Sequence, residues 1–254
     1  MVKPDAGLPG KSYMDDLAAE QRLAAEIFQR LQNTYGAPTR RCHHEPLDEL
    51  VLTVLSQNTS DANSERAFRA LRARYPTWEE VIAAPVAELA ETIRSGGLAQ
   101  QKAPRIQAAL RRILAERGEL SLDFLADLPV DEAFRWLTSL EGVGHKTAAI
   151  VLLFCFGKPV FPVDTHVARV SRRLGLAAPS AEAIRIKALW ERLVRPEWFY
   201  PLHLNLIRHG REVCRSRAPR CEICILNDLC SFARKRMAPG NTADVTVAAA
   251  RALC

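Results

Sequence analysis

The chain has 254 residues, 35 of them basic and 29 acidic, which leaves a net charge of +6. With 48% apolar and 25% charged residues it falls in the ordinary globular range, which excludes a disordered chain, a collagen-like repeat and a disulfide-built miniprotein. The longest apolar run, 148–157, is too short to cross a bilayer, and residues 1–16 lack the apolar stretch of a secretory signal. These features predict a soluble cytoplasmic protein, long enough for one large domain or two lobes.

Nearly every segment reads as helix. Residues 15–35 place Leu17, Ala18, Leu23, Ala24, Ile27, Phe28 and Leu31 on one face, ended by Gly36 and Pro38. Residues 47–55 are apolar all round, as in a buried helix. Ser60 or Asp61 can cap 62–75, which Pro76 stops. Further helices are predicted over 77–84, 86–95, 102–116, 131–140, 146–156, 165–174, 181–194 and 202–213. No period-2 stretch bounded by hairpin turns occurs, so the fold class is all-α.

Two of these helices, 131–140 and 146–156, are joined by Glu141-Gly142-Val143-Gly144-His145. The glycines permit a left-handed backbone and a close approach of N–H groups to a ligand. The second helix then offers its N-terminus to a phosphate. Only 7 of the 35 basic residues are lysines, and Lys146 is the one between Lys102 and Lys158. A cation in the first helical turn opposes the macrodipole. The same field favours the neutral, nucleophilic amine. A helix over 146–156 is about 17 Å long, and the helix-hostile stretch 157–163 reaches about 23 Å when extended. The chain can therefore return and bring Asp164 beside Lys146. A plain helix cap is the simpler role for Asp164, and one carboxylate can do both. His145 and His166 flank the pair as phosphate contacts or surface residues.

Four of the seven cysteines fall within 214–230, as Cys214-x6-Cys221-x2-Cys224-x5-Cys230. Clustered thiols in a chain without a secretory signal point to a metal centre, either zinc or [4Fe–4S]. Structural zinc usually draws two tight cysteine pairs, whereas here only one gap is tight, a spacing that suits a cubane better. The loop is also basic, with Arg215, Arg217 and Arg220 inside it.

LEGVGHKTA at 140–148 resembles the helix-hairpin-helix of the endonuclease III DNA glycosylases. VDTH at 163–166 resembles their catalytic aspartate segment, and the cysteine spacing their iron–sulfur loop. LSQNTSD at 55–61 and GGLAQQKA at 96–103 are similar to two further segments of that family. Glu141 departs from the proline usual in the hairpin. The resemblance implies a monomeric bifunctional DNA glycosylase and abasic-site lyase that acts on double-stranded DNA. Its substrates would be oxidised pyrimidines and abasic sites, with the nucleotide flipped out. Lys146 would be the nucleophile and Asp164 its activator. Asn58, or its neighbour Gln57, and Leu98 would fill the gap left by the base. Gly142, Val143, Gly144, His145, His166, Arg215, Arg217 and Arg220 would contact DNA. Cys214, Cys221, Cys224 and Cys230 would hold a [4Fe–4S] cluster, and the hairpin carbonyls from Leu140 to Val143 a monovalent cation. A two-lobe fold is implied, with DNA in the cleft between a barrel over 40–157 and a second lobe of 13–39 plus 158–236. Residues 1–12 are expected to be a disordered tail, and 237–254 carry no readable pattern. Three alternatives are a mismatch glycosylase of the same superfamily, a lysine-using relative with a different lesion preference, and a metal-stapled DNA-binding module without catalysis.

Overall fold

The computed structural model describes residues 13–40 and 44–238. The expectations for 1–12 and for most of 237–254 concern residues outside that range. The described residues are all-helical: α1 (Tyr13–Tyr35), α2 (Pro46–Leu55), α3 (Asp61–Arg74), α4 (Trp78–Ala83), α5 (Val86–Thr92), α6 (Ala99–Arg117), α7 (Val130–Thr138), α8 (His145–Phe156), α9 (Thr165–Leu174), α10 (Ala183–Leu193), α11 (Phe199–Glu212) and α12 (Ser231–Met237). Short 3-10 turns lie at Arg94–Gly96, Asp123–Ala126, Pro196–Trp198 and Cys221–Ile223.

Four helices differ most from the sequence reading. α5 ends at Thr92 rather than 95, and a 3-10 turn follows at Arg94–Gly96. α6 begins at Ala99 rather than 102, because the amides of Gln101 and Lys102 both donate to the Leu98 carbonyl. α11 begins at Phe199 rather than 202. Pro201 then sits in its first turn, where a missing N–H costs no helical bond. α12 is too short and too basic for its periodicity to stand out.

The chain divides into two compact units. One contains 38–164 with 199–201. Its centre is α2, whose Leu47 and the whole run from Leu50 to Leu55 are buried, packed against α3, α6 and α8. α8 is buried from Thr147 to Leu153, so α2 and α8 together form the core on which the 139–144 turn is mounted. Each large apolar side chain so buried stabilises the fold by roughly 1.5–3 kcal/mol. The segment after α8 stays with this unit: Val160 joins the same core, and the Phe161 ring meets Phe199 edge-on at 5.5 Å.

The other unit contains 13–37, 165–198 and the described residues from 202 onward. α1 buries Ala24, Ile27, Phe28 and Leu31, spaced as one helical face, and packs on α10. Phe28 stacks on Trp198 at 4.3 Å, and the buried Trp190 donates to Ser171 Oγ at 2.8 Å.

Candidate active site and cysteine pocket

The helix-hairpin-helix is formed by α7, the turn 139–144 and α8. Val143 N donates to Leu140 O at 3.1 Å, which closes the turn, and Gly142 takes a left-handed φ of +81°. A side chain there would meet the Arg105 stem, since an added Cβ would lie 3.0 Å from Arg105 Cβ. Gly144 caps α8 in an extended conformation, with nothing within 4 Å of where its Cβ would be. Val143 is buried and anchors the turn, whereas Gly144 and His145 are exposed. The His145 ring lies against Phe134 at 5.6 Å.

Lys146 is the second residue of α8 and is half-buried, in a first turn with no acidic residue. Helix amides of the first turn have no intrahelical acceptor, and their field disfavours an ammonium there. Asp164 directly precedes α9 and is also half-buried. Both residues belong to the 38–164 unit. His166 belongs to the other unit. Its Nδ1 lies 3.0 Å from Arg169 Nη2, and its Cβ is packed on Gly210.

The two gap-filling candidates at 57 and 58 part company. Gln57 turns inward, and its Nε2 donates to the hairpin carbonyl of Gly142 at 3.0 Å. Asn58 is exposed and left-handed, with φ +55°. Leu98 is likewise left-handed, at φ +50°, and 47% exposed. A left-handed residue bearing a Cβ costs about 1–2 kcal/mol, a strain that concentrates at functional positions. Of the hairpin carbonyls considered for a cation, Leu140 O and Gly142 O each already accept one hydrogen bond.

Cys214, Cys221, Cys224 and Cys230 line one pocket, walled by Val170, Leu174, Leu226 and Phe232. Burial pushes the Cys224 thiol up to about 11, with the other three thiols adding to the effect. Cys221 is raised for the same reasons. Among the described residues no three His, Cys, Asp or Glu side chains are grouped tightly enough to grip a single ion. The four sulfurs stand around a pocket instead, and the donor set suits an iron–sulfur centre, which would deprotonate them on binding.

Arginines that composition alone could not sort hold this loop in shape. Arg173 donates to the carbonyls of Arg215 at 2.6 Å and Ser216 at 3.0 Å, and lies 3.4 Å from Cys214 Sγ. Arg169 Nε donates to Cys214 O at 2.9 Å. Arg30 of α1 grips Asp228 through both oxygens, at 2.6 and 3.1 Å. The buried His209 has its Nε2 3.5 Å from Cys224 Sγ. Sequence reasoning missed these residues. The four-residue spacing of Arg169 and Arg173 on α9 was the available signal. Arg215, Arg217 and Arg220, by contrast, are exposed.

Residues 51–196 match the family model of HhH-GPD superfamily base excision DNA repair proteins. The chain belongs to that superfamily. Endonuclease III of Thermotoga maritima is 35% identical over 216 residues, 85% of this chain and 94% of that protein. Endonuclease III of Bacillus subtilis is 35% identical over 194 residues, 76% of this chain and 84% of that protein. An Arabidopsis thaliana DNA glycosylase is 39% identical over 165 residues, 65% of this chain, and the match spans 56% of that longer protein. Among solved structures, a trapped covalent endonuclease III–DNA intermediate superposes with a TM-score of 0.75 at 31% identity, covering 86% of this chain and 99% of that one. Among the described residues, no helix is long and apolar enough to cross a membrane.

Proposed function

We propose that the chain is a base excision repair enzyme, a DNA glycosylase and abasic-site lyase that removes oxidised pyrimidines from duplex DNA through Lys146. The observation that carries this reading is a half-buried lysine at the positive end of α8, behind a glycine hairpin, in a fold shared with a structure trapped as a covalent DNA intermediate.

Hairpin amides at a helix N-terminus suit a DNA phosphate, and the exposed Gly144 lets the backbone approach closely. Asn58 and Leu98 enter the gap left by the flipped nucleotide, which their exposure and left-handed backbone support. The neutral Lys146 amine forms a bond to C1′ while the C1′–base bond breaks, the base leaving with the electron pair and taking up a proton. The new ammonium loses a proton, and its nitrogen lone pair then breaks the C1′–O4′ bond; O4′ takes up a proton, which leaves an open-chain protonated Schiff base. Removal of a C2′ proton then expels the 3′ phosphate, and water releases the lysine. The Asp164 carboxylate accepts the lysine proton and stabilises positive charge on the sugar.

Cys214, Cys221, Cys224 and Cys230 would hold a [4Fe–4S] cluster. The cluster would serve as a structural staple for 214–230. A monovalent cation at the hairpin carbonyls would use the second lone pairs of Leu140 and Gly142. The substrate puts the enzyme in the compartment that holds the DNA, the cytoplasm in a cell without a nucleus. Borohydride added to enzyme and lesion-bearing duplex should trap a covalent adduct that Lys146→Ala abolishes. An adduct that survives that substitution moves the chemistry to another residue.

A further inference from the structure

Asn58 and Leu98 can work as a pair only if their spacing is fixed, yet neither lies within a regular element. Each follows a helix end. α2 ends at Leu55, three residues before Asn58, and the 3-10 turn ends at Gly96, two residues before Leu98. The carbonyls at both ends accept from one ammonium: Lys102 Nζ donates to Leu55 O at 2.6 Å and to Gly96 O at 2.8 Å. The backbone amide of the same residue donates to Leu98 O at 3.0 Å. Lys102 is only 2% exposed.

Gly96 is itself closely packed, with no room for a side chain. A Cβ added at Gly96 would lie 3.1 Å from Ala67 Cβ and 3.7 Å from Leu55 O. A cation is well placed where helix C-termini converge, because their last carbonyls lack helical partners and carry the negative end of the dipole. Burying one is nonetheless expensive, and burial lowers the lysine's pKa. An apolar side chain of similar size would fill the same space at less cost, but it could not fix the two carbonyls relative to each other.

We propose that Lys102 is a positioning residue whose buried ammonium ties the ends of α2 and the 3-10 turn together and so sets the spacing at which Asn58 and Leu98 enter DNA. This rests on the reading of those two residues as gap fillers. Gln57, beside Asn58, carries the same frame on to the hairpin through its bond to Gly142 O.

The test is a double-mutant cycle read by single-turnover excision from a lesion-bearing duplex, with Lys102→Met, Leu98→Ala and the double variant of the full chain. Lys102→Met should slow excision by about tenfold or more, as small misplacements do. Its affinity for undamaged duplex should match the parent. The double variant should be no slower than the slower single variant, because the lysine acts through the leucine. Lys102→Gln, which keeps a donor, should recover part of the rate. Multiplying effects, or a parental rate for Lys102→Met, would overturn the proposal. So would failure of both Lys102 variants to fold, which would leave the residue a purely structural role. Leu98→Ala at the parental rate removes the gap-filler reading itself, and the proposal with it. A slow Leu98→Ala with multiplying effects removes only the role of Lys102.

Discussion

Replacing Gly142 by alanine separates a glycine required by backbone shape from one required by DNA. At Gly142 φ is +81°, and the new methyl would lie 3.0, 3.1 and 3.3 Å from Arg105 Cβ, Cδ and Cγ. The left-handed backbone costs about 1–2 kcal/mol once a Cβ is present, and displacing the base of the Arg105 stem adds on the order of 1 kcal/mol. A sum of about 2–3 kcal/mol lowers the melting temperature by about 4–12 °C if the hairpin keeps its shape. If the turn relaxes instead, Lys146 moves with it, and cleavage falls by about 30- to 150-fold at the same energy. Gly144 is the control. Its backbone is extended and its Cβ position open, so alanine loses only some capping preference, under about 1 kcal/mol. Gly144→Ala should therefore keep melting temperature within a few degrees and lose affinity for duplex, if a phosphate approaches the hairpin amides as the proposed function requires. Differential scanning fluorimetry and single-turnover cleavage, run side by side, read both variants. The reasoning fails if Gly142→Ala matches the parent in both assays, or if the two variants are equally unstable.

Asp164→Asn should bind lesion DNA normally but turn over about 10²-fold more slowly, because it removes charge and keeps shape; unchanged turnover with a lower melting temperature would make Asp164 only a helix cap. Replacing the exposed Arg215, Arg217 and Arg220 together should flatten the slope of log affinity against log salt by up to about 2–3 for damaged and undamaged duplex alike. A parental slope would mean that the loop does not face DNA. Anaerobically purified protein should be brown and carry about four irons per chain. One zinc and no iron would falsify the cluster.

The helices were legible because their apolar residues recur on one face. In α1 the expected Ala24, Ile27, Phe28 and Leu31 are the residues that pack. α8 gave itself away differently, as an apolar run behind two glycines. Lys146 stood out through the scarcity of lysine, and the cysteines through their spacing. Lys102 is just as scarce, but nothing local marks a side chain that reaches a carbonyl 47 residues away. Gln57 is the same case: the family resemblance offered it beside Asn58 as a gap filler, while its amide satisfies a carbonyl 85 residues on. Polar staples leave no period in the sequence, since they answer to backbone groups that only the fold brings near.

The arginines make the same point through charge. The sequence marks only Arg215, Arg217 and Arg220 as basic residues of the cysteine loop. The structure adds three more and separates the two groups by what their guanidinium groups face. Arg173, Arg169 and Arg30 spend their donors on carbonyls of the cysteine loop and on Asp228, whereas Arg215, Arg217 and Arg220 face outward. The loop from Cys214 to Cys230 buries little apolar surface beyond Leu226, so its shape depends on these anchors and on whatever the four thiols hold. The inward arginines fix where the loop's backbone runs, and that in turn fixes where the outward ones stand. An Arg173→Ala change should therefore disturb the loop's backbone, whereas an Arg217→Ala change should remove an outward charge and leave that backbone in place.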